Sequence, residues 1–423
     1  LSTSAITEPD CFAFGANDLS LKVALQQLEA GIGRVVSNER LPLAACLGRA
    51  LAEPLTAHLD IPGVDSSAMD GYAFASASLV PGEQTSLRLR EGRAAAGHPF
   101  SGTIAAGEAL KILTGAPMPT GTDTVVMWEQ ATLVEGRLVV PPGITHGQNR
   151  RRRGEDMGAG QIVLGAGQCL GPQHLGVAAR LGHAELNVYR RLRVALASSG
   201  DELAEPGARL PPGGVFDANR VILKAALASL PVKTTDLGIL PDDPAIVRDV
   251  LIEAAARHDL IVTSGGASRG DEDHLVRTVR THGMLHFWEV RMKPGRPLAM
   301  GRLRQSLFIG LPGNPVASLS AFLLFARPVI LALAGATWPP TPFRLRPAGF
   351  TLQRTRRDRS EILRARLEPG PAGRAVLVER QASHILTSLV EAEGLILLEE
   401  GSGDIDEGQG VPFASLRDLG LAQ

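Results

Sequence analysis

From Asp259 to Leu275 the chain reads DLIVTSGGASRGDEDHL. The run Leu260–Thr263 is apolar and β-branched, and it ends in paired glycines followed by Asp271, Glu272 and Asp273. A short, continuous apolar run bounded by glycine reads as a strand buried on both faces, the kind found in parallel sheets. Glycine lets backbone amides approach a ligand, and the helix N-terminus that follows such a turn favours anions. Acids in a first helical turn stabilise it by roughly 0.3–1 kcal/mol each, which accounts for any one of the three. It does not account for Asp201 and Glu202, which leave a second strand end at the same rim.

The same texture repeats on either side. RLRVALASSGDEL is a strand entering a loop, FDANRVILKAALASL and PAIVRDVLIEAAARH are helices, and SLFIGLPGNPVASLSAFLLF is a strand, a loop and a helix. Over 191–336 this pattern predicts a central parallel α/β sheet with helices on both faces. Residues 18–36 have apolar positions at helical spacing, as do 170–186, so 18–50 and 158–190 are expected to form a helical linker region. Between them, 51–157 alternates short strands with Gly and Pro and reads as an inserted small β domain. Beyond the Pro-rich linker 337–347, short strands predict a C-terminal β-barrel over 341–423. The fold class expected is multidomain α/β plus β, in keeping with a length of 423 residues.

Composition narrows the function. Hydrophobic residues make up 44% and charged residues 21%, the balance of a globular protein. A net charge of −1 argues against bulk binding of nucleic acid or acidic membrane, so any anion site must be local. Cys11, Cys46 and Cys169 are far apart with no CxxC pair, which suits a reducing compartment. The opening LSTSAITEPD shows no basic segment followed by an apolar core, so the expectation is cytoplasmic. Arg327 and Pro328 divide the apolar stretch Ala317–Ala336 into two runs, each too short for a bilayer, which predicts a buried, Pro-interrupted helix.

Ligands of open parallel sheets bind outside the carboxyl ends of the strands. Three loops leave such ends here: Ser198–Glu202, Ser264–Asp273 and Leu311–Pro315. Carboxylates beside an oxyanion site would repel the substrate unless a cation lies between, and a hard divalent ion such as Mg²⁺ resolves that conflict. Lys293 and Arg296, around a Pro-Gly turn in VRMKPGRPLAMG, add phosphate or oxyanion contacts. In the β domain, DSSAMDGYAF carries two acids, ILTGAPMPTGTD exposes Thr114, and Arg150 to Arg153 face Glu155 and Asp156, a focused phosphate contact. His282 and His286 are four apart, but Gly283 breaks the helix that such a metal pair would need. Gly-x-Ser-x-Gly and Walker A patterns are absent.

In order along residues 65–318, DSSAMDGYA, LTGAPMPTGTDTVVM, RRRGEDM, VALASSGDEL, FDANR, TSGGASRGDED, MKPGRPLAMG and GLPGNPVAS resemble the molybdopterin molybdenumtransferase family, called MoeA in bacteria and the E domain of gephyrin. The resemblance implies a four-part, elongated homodimer whose helical region serves dimerisation and whose 191–336 domain is molybdopterin-binding-like. The active site would lie between that domain and parts of the partner subunit. The implied reaction is insertion of molybdenum from molybdate into adenylylated molybdopterin, with Mg²⁺-assisted release of AMP. The substrate would come from an upstream molybdopterin adenylyltransferase.

Carried over by position, the functional acids fall on Asp65, Asp156, Glu202, Asp243 (or Asp242) and Asp273, and the threonine on Thr114. Glu202, Asp243 and Asp273 would ligate the metal. Ser199, Gly200, Gly265, Gly266, Lys293, Arg296, Pro312, Gly313, Asn314 and Pro315 would bind substrate, with Arg364 and Ser383 as molybdate contacts in the barrel. Arg296 replaces a common Lys, Ser199 a common Thr, and Arg269 a small apolar residue. The segment RRDRSEILRARL lacks the usual glycine and aromatic. These departures leave open two other readings, a non-catalytic molybdopterin-binding or scaffold paralogue and a nucleotide pyrophosphate hydrolase.

Overall fold

Along strand β1, Leu192–Ser199, successive side chains go to opposite faces. Leu192, Val194 and Leu196 join one buried cluster, and Ala195 and Ala197 join another. The elements that follow are α1 (Ala218–Ala228), β2 (Val232–Leu240), α2 (Pro244–Arg257), β3 (Leu260–Ser264), α3 (His274–His282), β4 (Met284–Lys293), β5 (Pro297–Leu303) and β6 (Ser306–Leu311). The sheet runs β2-β1-β3-β6-β5-β4. The first four strands pair in parallel, and β5 and β4 continue antiparallel. Leu223 and Leu227 of α1 cover one face, while Val247 and Leu251 of α2 with Leu275 and Val279 of α3 cover the other. Each such side chain contributes about 1.5–3 kcal/mol by leaving water. In this computed structural model residues 19–265, 274–370 and 373–421 are described, Phe287 and Trp288 by backbone alone.

Asp259 fixes where the deciding strand begins. Its carboxylate accepts from Arg190 Nη1 (2.7 Å) and Nη2 (3.0 Å), Arg193 N (2.8 Å) and Arg193 Nη2 (2.9 Å). The bonds tie β3 to the entry of β1, so one side chain sets the register of two central strands.

The helix after β6 differs from the sequence expectation. Pro315–Leu333 is one continuous helix of 19 residues, long and apolar enough to cross a membrane by length and composition, but almost entirely buried inside the protein. Arg327-Pro328 does not divide it, because a π-type turn at Phe322–Ala326 comes immediately before. Proline lacks an N–H and crowds the carbonyl one turn earlier, and a wider turn absorbs both effects. Pro328 then sits in the first turn of the α-helical segment Arg327–Leu333 that follows.

The C-terminal strands Ser360–Leu367, Ala375–Leu377, Gly394–Leu398, Gly410–Ser415 and Arg344–Pro347 pair antiparallel around Ile396, Leu398, Val411 and Phe413. An isolated bridge from Ala348 to Ala375 joins their two ends. They attach to the α/β sheet where Met292 and Lys293 pair with Ser360 and Glu361.

Contacts divide the chain into two compact units, the smaller being Pro54–Gly165 with Gly176–His183. Its sheet places strands in the order Thr124–Met127, Gly71–Phe74, Glu108–Ile112, Thr85–Ala94, Arg137–Val140, Thr132–Val134. The region expected to be helical holds helices Leu21–Gly31 and Pro172–Arg180, and also an antiparallel pair, Asn38–Pro42 with Glu185–Tyr189. The predicted helix over 18–36 stops at Gly31, where glycines at 31 and 33 weaken its end.

Candidate functional site

Three parallel strands, β1, β3 and β6, end side by side, and their loops meet because glycine allows it. Gly265 has φ +80°, and a Cβ there would lie 2.7 Å from the Ser199 carbonyl oxygen. Gly200 has φ +147°, and a Cβ there would lie 2.3 Å from a Glu202 carboxylate oxygen. The β1 loop therefore folds the Glu202 carboxylate back over its own glycine. Gly265→Ala is expected to cost about 1–3 kcal/mol in a urea melt, from left-handed strain plus the contact with Ser199. A variant as stable as the parent would contradict this packing.

Asn219, in the first turn of α1, links the other two loops. Its Nδ2 donates to Ser264 Oγ (2.8 Å) and to the Gly313 carbonyl (2.6 Å). Arg220 beside it donates to Asp217, Asp236 and Glu205, and Lys224 also bonds Asp236. Burial alone would raise the Asp236 carboxyl, but the bonds from Lys224 and Arg220 pull it down to about 2. This network holds the Glu205 loop against α1, and Val215 N donates to the Glu202 carbonyl (2.8 Å).

A cleft of about 960 Å³ opens beside these loops. It is lined by Ser199, Glu202, Gly265, Pro312, Gly313 and Asn314, by Lys293 and Arg296 of the β4–β5 turn, and by Ser383 of the C-terminal strands. Arg296 Nη2 donates to Glu289 Oε2 at 3.1 Å, which orients the fork of a largely exposed guanidinium. Arg359, Glu361, Gln381 and His384 also line it, and no sequence signal pointed to them. A larger cleft of about 1120 Å³, along helix Leu21–Gly31 and Trp338–Phe343, gathers none of the strand-end loops.

Other expected residues lie elsewhere. Asp243 caps α2, its Oδ1 accepting from Ala245 N (2.8 Å) and Ile246 N (3.0 Å), and those bonds hold its carboxyl below the usual range. Its neighbour Asp242 faces the β1 loop instead, accepting from Ser199 Oγ (3.3 Å) and Asp201 N (3.2 Å). Pro315 starts the long helix. Arg364 is fully buried and does not line the cleft. Gly266, Arg269, Asp271, Glu272 and Asp273 fall outside the described residues. His282 ends α3 while His286 sits in β4, so the two do not share a helix.

Asp65, Thr114 and Asp156 belong to the smaller unit. Thr114 donates through both N (2.6 Å) and Oγ1 (2.8 Å) to Asp70, the second acid of DSSAMDGYAF. Asp65 accepts from Arg153 N (2.8 Å) and lies 3.5 Å from Arg150. Asp156 pairs with Arg180 at 3.4 Å. Of the arginine run, Arg150 and Arg153 are thus engaged by carboxylates, Arg153 through Asp60 at 2.6 Å.

A mixed α/β multidomain fold with strand-rich sheets and a cleft at its strand ends defines the class. The chain belongs to the MoeA family. Family models describe residues 19–182 as the MoeA N-terminal region, 195–332 as a probable molybdopterin binding domain and 353–416 as the MoeA C-terminal region. It is 37% identical to a molybdopterin molybdenumtransferase of Haemophilus influenzae, over 90% of this chain and 94% of that one. It is 34% identical to molybdopterin molybdenumtransferase 2 of Mycobacterium tuberculosis, over 90% and 96%. The crystal structure of the molybdopterin biosynthesis moeA protein from Pyrococcus horikoshii superposes with a TM-score of 0.80 at 25% identity, covering 94% of this chain and 100% of that one.

Proposed function

We infer that this chain is a molybdopterin molybdenumtransferase of molybdenum cofactor biosynthesis, inserting molybdenum from molybdate into adenylylated molybdopterin with Mg²⁺-dependent release of AMP. The observation that carries this is the meeting of three glycine-bearing strand ends with Lys293 and Arg296 in one cleft. Loop amides and Lys293 bind phosphate as donors and as a point charge, while Arg296, oriented by Glu289, offers a planar fork to a tetrahedral oxyanion.

The acids fit a hydrated magnesium ion better than a closed protein cage. Among the described residues no three carboxylate, imidazole or thiol groups gather as a metal site. Glu202 in the cleft, and the Asp201–Asp242 pair joined through reciprocal backbone bonds, supply the one or two carboxylates that Mg²⁺ uses together with substrate phosphates. Bound there, Mg²⁺ supplies charge neutralisation to the phosphoanhydride as it breaks. The family resemblance assigns Asp273 to the same group. It also gives functional roles to Asp65, Thr114 and Asp156 and implies a homodimer, while the sequence pattern reads the C-terminal strands as a β-barrel and the cytoplasm as the compartment.

The direct test is to incubate purified protein with adenylylated molybdopterin, Mg²⁺ and molybdate and to follow AMP. Release of AMP that needs both ions is the expected result. Tight binding of the pterin nucleotide with no AMP released would instead make the chain a binding protein.

A further inference from the structure

We propose that Asn219 is a positioning residue for the reaction: its side-chain amide latches the Gly313–Asn314 peptide so that the Asn314 N–H faces the cleft as an anion donor. The proposal deepens the transferase reading and rests on it for the identity of the anion.

Asn219 stands behind the loop, at the start of α1; Gly313 and Asn314 line the cleft and Asn219 does not. The Gly313 carbonyl can only accept, so the amide must turn Nδ2 towards it. Nδ2 donates there at 2.6 Å and to Ser264 Oγ at 2.8 Å. Oδ1 is thereby committed to the interior, where it is buried without a hydrogen-bond partner. An unpaired buried acceptor is unfavourable, so the two donations hold the amide in this orientation against that cost.

The consequence falls on the next peptide unit. In a planar trans peptide the carbonyl of one residue and the N–H of the next point in opposite directions. The Gly313–Asn314 bond is trans. With its carbonyl drawn back to Asn219, the Asn314 N–H points away from α1, towards the cleft that Lys293 and Arg296 also line. The neighbouring donors are engaged or absent. Pro315 has none, Val316 N donates to the Ser383 carbonyl (3.2 Å), and Ser318 N donates to the Asn314 carbonyl (2.8 Å). Among the described residues Asn314 N donates to no protein acceptor, and the Asn314 side chain does not cap the helix. This N–H opens the helix Pro315–Leu333, at the end where backbone amides favour an anion. No side chain at position 313 resists rotation of the peptide, and turned over it would present a carbonyl oxygen to the anion. Asn219 blocks that turn.

Asn219→Asp keeps the shape and removes both donors. Ionised, it sets negative charge against the Gly313 carbonyl; protonated, it regains one O–H donor. Calorimetry of the full chain with inorganic pyrophosphate, and AMP release, would be compared with wild type at each pH from about 8 down to about 5. Near pH 8 the variant is expected to bind pyrophosphate about 10-fold more weakly and to lose about 10- to 100-fold in kcat/KM, and both losses should shrink towards pH 5. Asn219→Ala, which has no proton to regain, should show the same loss at every pH. Ser264→Ala leaves the bond to Gly313 and should stay within about threefold of wild type. An equal loss in Ser264→Ala would overturn the latch, because the amide would then act through β3, and so would a loss in Asn219→Asp that ignores pH. Unchanged pyrophosphate binding and turnover in Asn219→Asp, with wild-type protein releasing AMP, would overturn it and leave the transferase reading standing. Wild-type protein that binds pyrophosphate and releases no AMP would end the transferase reading, and weaker binding by Asn219→Asp would then still support the latch.

Discussion

Replacing Glu202 with Ala is expected to cut AMP release from adenylylated molybdopterin by roughly two to three powers of ten, the equivalent of several kcal/mol of transition-state stabilisation. Glu202 is the one acid among those expected at the site that the described residues place in the cleft wall. It is also exposed, so its removal touches no core contact, and the melting curve should stay within about 0.5 kcal/mol of the parent. Glu202→Gln separates charge from shape, because the amide still lies over Gly200 without the negative charge. Loss of turnover in both variants assigns the effect to the charge. Full turnover in Glu202→Ala would remove this residue from the machinery, and with it the part of the mechanism read from this loop.

Asp259→Asn is expected to destabilise the larger unit by about 2–3 kcal/mol, measured by urea midpoint at neutral pH. The carboxylate is 9% exposed, while its partners Arg190 and Arg193 are 27% and 51% exposed, so solvent screening keeps the loss below that of a fully buried pair. Burial alone would raise this carboxyl, but hydrogen bonds from Arg190 and Arg193 hold it well below the usual carboxylate range. A group with a lowered folded pKa stabilises the fold above its unfolded pKa of about 3.9 and loses that contribution as acid protonates it. Asp236, drawn down to about 2, adds to the same limb. Stability should therefore fall as pH drops from about 4 towards 2, and Asp259→Asn should flatten that fall. An acid limb identical to wild type would show that the pair does not hold the strand.

Much of the α/β region was legible because burial on both faces leaves a mark in composition. DLIVTSGG and RLRVALASSG are apolar without alternation, and their strands have buried clusters on either side. The long helix was legible as buried. Its continuity through Arg327-Pro328 was not, since a wider turn placed before a proline leaves no composition signal. The strand pair Asn38–Pro42 with Glu185–Tyr189 escaped because its two halves are far apart in sequence and the first is largely exposed.

In the site, residue types were legible and their directions were not. Of the acids after β2 the sequence pointed to Asp243 or its neighbour Asp242, and only the hydrogen bonds show that Asp243 turns to Ala245 and Ile246 while Asp242 turns to Ser199. Asn219 offers just one asparagine after an N-capping Asp217 as a signal, yet it ties two loops together.

By itself, the sequence determined where backbone amides can come close, because glycine at the strand ends is a local requirement of φ and of contact distance. It determined which charges are available there. The tertiary structure decided which of those charges meet a ligand and which support the fold. Arg364 lies on the strand Ser360–Leu367 and Arg359 immediately before it, five residues away, and their chemistry is identical. A buried set of carbonyls surrounds one and an open wall receives the other. That choice depends on what the chain brings alongside from distant segments.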